Sequence, residues 1–220
     1  MTRLPFKDRI EGAVALAEAL SDYAGRDDVL VLGLPRGGVP VAAEVARRLG
    51  AGLDVIIVRK LGAPGQPELA VGAIASGGGR VFNEDLVRLM HLSPTALERI
   101  IERESKELER RERLYRGAHP FPQMKDRCLI LVDDGLATGA TMRAAVNAVR
   151  STGPREVVVA VPVAPSDTVE VLAQEADRVV CVATPENFMA VGRWYLDFSQ
   201  VEDVEVMDIL AEAWARQDAS

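Results

Sequence analysis

The sequence predicts an α/β fold: a doubly wound, mainly parallel sheet flanked by helices. Three observations predict it. Short runs of Val, Ile and Leu with few charges recur along the chain, amphipathic stretches separate them, and several runs end in glycine-rich or acidic loops. Near-continuous apolar strands alternating with helices signal strands buried on both faces, as in parallel sheets.

Taken in order, Ile10, Val14, Ala17 and Leu20 fall at helical spacing, so 9–23 reads as a leading helix. Residues 28–34 (DVLVLGL) read as a buried strand that runs into the tight loop Pro35-Arg36-Gly37-Gly38. A helix over 39–49 follows, closed by Gly50 as its C-cap. Residues 53–58 (LDVIIV) are the second strand, with Arg59 and Lys60 at its end. The stretch 60–80 holds six of the 18 glycines and two of the 12 prolines, and predicts a long mobile loop with a short hairpin on 70–75 and 80–82. Residues 94–116 predict a charged helix with Leu97, Ile100, Ile101, Leu108 and Leu114 as its apolar stripe and mixed charges outside. Three more strands are expected at 128–132, 157–163 and 178–182, with helices over 141–150 and 167–176. The organisation expected is a single domain over 1–220, with a flexible-loop and charged-helix insertion at 60–117 and a hood segment at 183–204.

Composition narrows the function classes. Of 220 residues, 48% are hydrophobic and 27% charged, as in ordinary globular proteins, which argues against a disordered or disulfide-stapled chain. The net charge of −7 opposes non-specific binding to nucleic acid or anionic lipid, so any bound anion must be held by local design. Cys128 and Cys181 lie in apolar runs and read as core residues of a reducing compartment. With no CxxC, and with His91 and His119 far apart, no protein-held metal site is expected. Neither a signal peptide nor a membrane-crossing run is visible, so a soluble, cytoplasmic protein is expected.

The most informative stretch is 129–141, LILVDDGLATGAT. An apolar strand ends in two adjacent carboxylates, Asp133 and Asp134, and a loop of small residues, Ala137-Thr138-Gly139-Ala140-Thr141, then opens a helix. Backbone N–H groups at such a helix start bind anions, small residues let a phosphate approach, and the two threonines add hydroxyl donors. No Lys follows the glycine, so this is not the nucleotide loop GxxxxGK[ST]. The carboxylates would repel a phosphate, and paired acids suit vicinal sugar hydroxyls or a nearby cation. A ribose 5-phosphate fits both halves. An N-capping pair, or receiver- or phosphatase-type aspartates, are the alternatives.

This stretch resembles the phosphoribosyl-diphosphate signature of the type I phosphoribosyltransferases. The resemblance implies that Asp133 and Asp134 bind the ribose 2- and 3-hydroxyls while Ala137 to Thr141 cradle the 5-phosphate. Pro35, Arg36, Gly37 and Gly38 resemble the family's diphosphate loop, which implies a cis Pro35-Arg36 bond with backbone N–H groups turned to the diphosphate. Arg59 and Lys60 would neutralise the departing diphosphate, and the glycine-rich stretch after them matches the family's catalytic hood loop in position. Ala137 stands where enzymes for hypoxanthine and guanine often carry an Asp, so the chain is more similar to adenine enzymes there. Glu68 is then the candidate base. Phe188, Trp194, Tyr195 and Phe198 fall where the family places a hood over the nucleobase, and either stack on the base or seal a hydrophobic cluster.

The resemblance implies Mg²⁺-dependent transfer of a 5-phosphoribosyl group from phosphoribosyl diphosphate to a nucleobase-like acceptor, with release of diphosphate. Mg²⁺ would be carried by the substrate, close to Asp133 and Asp134, and association as a homodimer is implied as well. Neither a nucleic acid nor a membrane is an expected partner. The rival classes are a non-catalytic phosphoribosyl-diphosphate sensor, a competence-type accessory protein, whose usual cysteine-rich zinc ligands are missing here, and a hydrolase acting on a phosphoribosyl compound.

Overall fold

The computed structural model describes residues 4–217, apart from the side chains of 67 and 68. Helix α1 (Arg9–Ala19) leads into β1 (Val29–Gly33), α2 (Gly38–Leu49) and β2 (Gly52–Val55). Three strands follow, β3 (Val58–Ala63), β4 (Gln66–Ala75) and β5 (Arg80–Phe82), then helices α3 (Glu84–Leu89) and α4 (Pro94–Arg116). The chain continues through β6 (Cys128–Val132), α5 (Ala140–Arg150), β7 (Glu156–Val163), α6 (Ser166–Leu172), β8 (Arg178–Ala183) and α7 (Asp203–Gln217).

Five strands form a parallel sheet in the order β2-β1-β6-β7-β8. This is the doubly wound α/β fold expected. Alternate residues along each strand feed two cores, as the two-residue period of a strand requires. Val29, Val31, Cys128, Ile130 and Val132 pack with α1, α2 and α7 on one face. Leu30, Leu32, Leu129 and Leu131 pack with α5 and α6 on the other. Burial of both faces explains why these strands read as unbroken apolar runs. Burial also pushes the Cys128 thiol up to about 12, so it stays a protonated core residue.

The order reverses beside β1, with β2 on one side and β6 on the other. Gly33 and Val132 are register partners there, and the Leu34 N–H donates to the Val132 carbonyl at 2.9 Å. The loops after β1 and β6 therefore leave the sheet side by side at its carboxyl edge, the switch point at which open α/β sheets bind ligands.

Residues 58–82 differ from the loop expected over 60–80. The hairpin on 70–75 and 80–82 exists, with Gly72 opposite Phe82 and Ile74 opposite Arg80. β3 pairs with the other edge of β4, so the segment is a three-stranded antiparallel sheet. The second strand of the main sheet also ends early, at Val55, because the chain crosses to this smaller sheet. Its own packing makes it a sheet: Leu61, Ala63, Val71 and Ile74 are buried in the core that Ile100 and Leu108 of α4 share. The leading helix stops at Ala19, a 3₁₀ turn covering Ser21–Tyr23, and α6 stops at Leu172.

Candidate active site

The two glycine-bearing loops meet at the acidic pair. A Cβ on Gly37 would overlap Asp134 Oδ2 and lie 2.7 Å from its Cγ, and one on Gly38 would lie 2.6 Å from the Val132 carbonyl oxygen and 2.8 Å from the Asp133 Cα. Only glycine allows the first loop to close on the second strand end in this way. Between these glycines and β1 the Pro35-Arg36 bond is cis, as the resemblance implied.

Asp133 and Asp134 stand immediately beyond β6. The Asp134 N–H donates to Asp133 Oδ1 at 2.9 Å, and Asp134 Oδ2 accepts from Arg9 Nε at 2.8 Å. Burial, and then the neighbouring Asp134 charge, push the Asp133 carboxyl well above the usual carboxylate range. Burial also raises Asp134, with Arg9 opposing the rise through its hydrogen bond and its charge. Each acid has one donor of this kind, the Asp134 N–H on Asp133 and Arg9 on Asp134, and a carboxylate has further lone pairs that can accept from a ligand hydroxyl.

The small-residue loop follows. Ala137, Thr138 and Thr141 are exposed, so the loop is open to a ligand. Gly139 caps α5 at φ +67°, a conformation that favours glycine, and a Cβ there would lie 2.7 Å from Thr168 Cγ2. The Thr168 hydroxyl donates to the Ala137 carbonyl at 2.8 Å, which anchors the loop on α6. The Ala140 N–H at the start of α5 donates to Thr138 Oγ1 at 3.5 Å, so the threonine hydroxyl lies over the first turn of the helix.

The cations are arranged differently from expectation. Arg59 and Lys60 do not end β2; they lie in β3, where alternation sends them to opposite faces. Arg59 Nη2 pairs with Glu104 Oε2 of α4 at 2.6 Å, and so tethers the small sheet to that helix. Lys60 lines a cavity of about 460 Å³ with Phe82, Asn83, Ala140, Arg143 and Asn147, alongside the start of α5. Arg36 Nη1 lies 3.7 Å from Glu202 and 3.9 Å from Asp203 at the start of α7. The side chain of Glu68 lies outside the described residues.

The hood aromatics divide. Tyr195 is buried, flanked by Phe6 at 5.6 Å and Phe198 at 5.1 Å between centroids, and its hydroxyl donates to the Asp134 carbonyl at 2.5 Å. Its ring therefore belongs to the sealing cluster and is not open for stacking on a base. Trp194 and Phe188, 6.0 Å apart, pack against the same cluster but are only partly buried. Sequence reasoning missed Arg9 and Phe6, which lock this hood to α1 and to the acidic pair. No local motif marks either residue.

The family model of the phosphoribosyl transferase domain matches residues 7–199. A Mycobacterium tuberculosis H37Rv protein named "Putative phosphoribosyl transferase" is 50% identical over 209 residues, 94% of this chain and 47% of that protein. The chain thus spans about half the length of the curated relatives it matches. The bifunctional protein PyrR of Corynebacterium diphtheriae is 28% identical over 141 residues, 62% of this chain and 54% of PyrR. The crystal structure of TT1426 from Thermus thermophilus superposes with a TM-score of 0.85 at 49% identity, covering 94% of this chain and 98% of that one. With signature, fold and family model in agreement, the chain belongs to the phosphoribosyl transferase domain family, the type I phosphoribosyltransferases.

Proposed function

We propose that the chain transfers a 5-phosphoribosyl group from phosphoribosyl diphosphate to a nitrogenous base, releasing diphosphate. The observation that carries this reading is the contact between the two loops, in which Gly37 and Gly38 close on the Asp133–Asp134 pair at the switch point of the sheet. A ligand seated on one loop therefore touches the other. The N–H groups of Ala137 to Thr141 hold the 5-phosphate, and the hydroxyls of Thr138 and Thr141 add donors. Asp133 and Asp134 accept hydrogen bonds from the ribose 2- and 3-hydroxyls. The Pro35–Gly38 loop holds the diphosphate, with Arg36 as its cation; the long contacts to Glu202 and Asp203 leave that side chain able to turn. Lys60 is the second cation.

The reaction breaks the C1–diphosphate oxygen bond as the base nitrogen bonds to C1 from the opposite face, and the proton that nitrogen carried is released to water. The chain's work is to hold both ends of the sugar, balance the leaving group's charge and shield an oxocarbenium-like state from water. Asp133 and Asp134 present the hard carboxylate oxygens that suit Mg²⁺, and would stand close to an ion that enters on the donor's own oxygens. When bound, Mg²⁺ supplies positive charge to the leaving diphosphate. Trp194 and Phe188 are the aromatics available to the acceptor base.

A second reading, binding of phosphoribosyl diphosphate without transfer, is favoured by one observation. Arg59 is committed to Glu104, and Arg36 faces two acids, so two of the three expected leaving-group cations are engaged by carboxylates.

The test is diphosphate release from phosphoribosyl diphosphate and Mg²⁺ in the presence of adenine, guanine, hypoxanthine, xanthine, uracil or orotate in turn. Release that needs one of these bases, and falls at least about 100-fold in Asp134→Asn, is the result expected. Donor binding with no release for any base would favour the second reading.

A further inference from the structure

Arg9 stands on the first turn of α1, far from both loops in sequence, yet it closes a circuit of contacts around Asp134. Its Nε donates to Asp134 Oδ2 at 2.8 Å, its Nη1 donates to the Ser199 carbonyl at 2.7 Å, and its guanidinium lies 4.0 Å from the Phe198 ring centroid. Phe198 stacks on Tyr195, whose hydroxyl returns to the Asp134 carbonyl. The carboxylate and the main chain of one residue are thus gripped by a helix and by the hood together. The circuit is largely shielded, with the Arg9 and Asp134 side chains 12% and 13% exposed. Among the described residues, Arg9 is the only cationic side chain hydrogen-bonded to either acid of the pair.

A planar guanidinium held by a carbonyl below and a ring at its face offers its Nε in one direction. Asp134 gains a fixed rotamer, with Oδ2 occupied and the carboxylate plane set. A lysine at position 9 would keep the charge and lose that directionality. The N-cap Asp8, which accepts from the Glu11 N–H at 2.9 Å, fixes where α1 starts and hence where Arg9 stands.

We infer that Arg9 is a positioning residue for sugar recognition: through its bond to Asp134 and its stack on Phe198 it aims that carboxylate at the ribose hydroxyls of a phosphoribosyl ligand. This inference rests on the phosphoribosyl reading of the site. It also makes the hood part of the sugar site as well as the acceptor site, because Phe198 and Tyr195 complete the circuit.

The experiment is a double-mutant cycle on ribose 5-phosphate affinity, measured by calorimetry on the full chain: wild type, Arg9→Met, Asp134→Asn and both together. Arg9→Met is expected to weaken binding about tenfold. The same change in the Asp134→Asn background is expected to add almost nothing, and Arg9→Lys to recover part of the loss. Additive losses, or wild-type affinity in Arg9→Met, would overturn the inference while leaving the phosphoribosyl reading standing. Wild-type protein that binds no ribose 5-phosphate would instead defeat that reading, and the inference with it. Should Arg9→Met fail to fold, Phe198→Leu removes the ring beneath the guanidinium and is expected to act in the same direction, with a smaller loss. Unchanged affinity in Phe198→Leu would contradict the circuit.

Discussion

Asp133 is held in a place that favours its neutral form. Its carboxyl accepts from the Asp134 N–H, while burial and the Asp134 charge raise its pKa well above the usual range. An unfolded chain has an ordinary carboxyl near 3.9. As pH rises from that value toward the raised folded one, the unfolded chain releases its proton while the folded protein keeps it, so stability falls over that window and levels off above it. Asp133→Asn is therefore expected to stabilise the ligand-free protein at pH 7 by on the order of 1 kcal/mol. The gain should vanish below about pH 4, where both states keep the proton. Urea denaturation at the two pH values checks it, and a gain that grows toward acid pH would contradict the account. Loss of stability in favour of a ligand is a common feature of functional sites. At this scale the acidic pair and the small-residue loop were legible in the sequence, since contiguous residues carry them, whereas the cis Pro35-Arg36 bond was expected from the family resemblance alone. Arg9 was not, because its role depends on α1 crossing to residues 134 and 198, which no local pattern encodes.

Among the elements, α4 depends on a buried ion pair at its end. Arg116 bonds Asp54 of β2 through both terminal nitrogens, with the two side chains only 7% and 3% exposed, and its guanidinium lies 4.6 Å from the Phe121 ring centroid. Burial raises Asp54 even with Arg116 beside it, so a lone Asp54 would be far costlier to keep charged. Arg116→Met is expected to cost about 3–5 kcal/mol of stability, measured by denaturant unfolding. A cost below about 1 kcal/mol would show that the pair is not the brace described here. The main-sheet strands were legible because both faces are apolar, and the 94–116 helix because of its stripe. The small sheet was only half legible. Glycines and prolines in 60–80 mask the strand signal, and β3 is a strand because it pairs with β4 and packs on α4, which are tertiary facts. For the same reason Arg59 and Lys60 could not be located: the break after Val55 has no turn residue to mark it.

Over the whole molecule, a net charge of −7 coexists with a site whose proposed ligand is a polyanion. The field of the protein as a whole does not draw a phosphate in, so the site must do so locally, with backbone N–H groups at the start of α5 and a few placed cations. No helix among the described residues is long and apolar enough to cross a membrane. The fold brings four distant pieces to one edge of the sheet: the loop after β1, the loop after β6, the first turn of α1 and the hood after β8. Calorimetric titration of phosphoribosyl diphosphate into the wild-type chain and into Gly139→Val tests whether these pieces together form a donor site. The account predicts saturable one-site binding to the wild type, and a loss of at least about tenfold in Gly139→Val, whose side chain would enter a space already closed by Thr168 Cγ2 and disturb the phosphate cradle. Absent binding in the wild type, or equal binding in the two proteins, would contradict it.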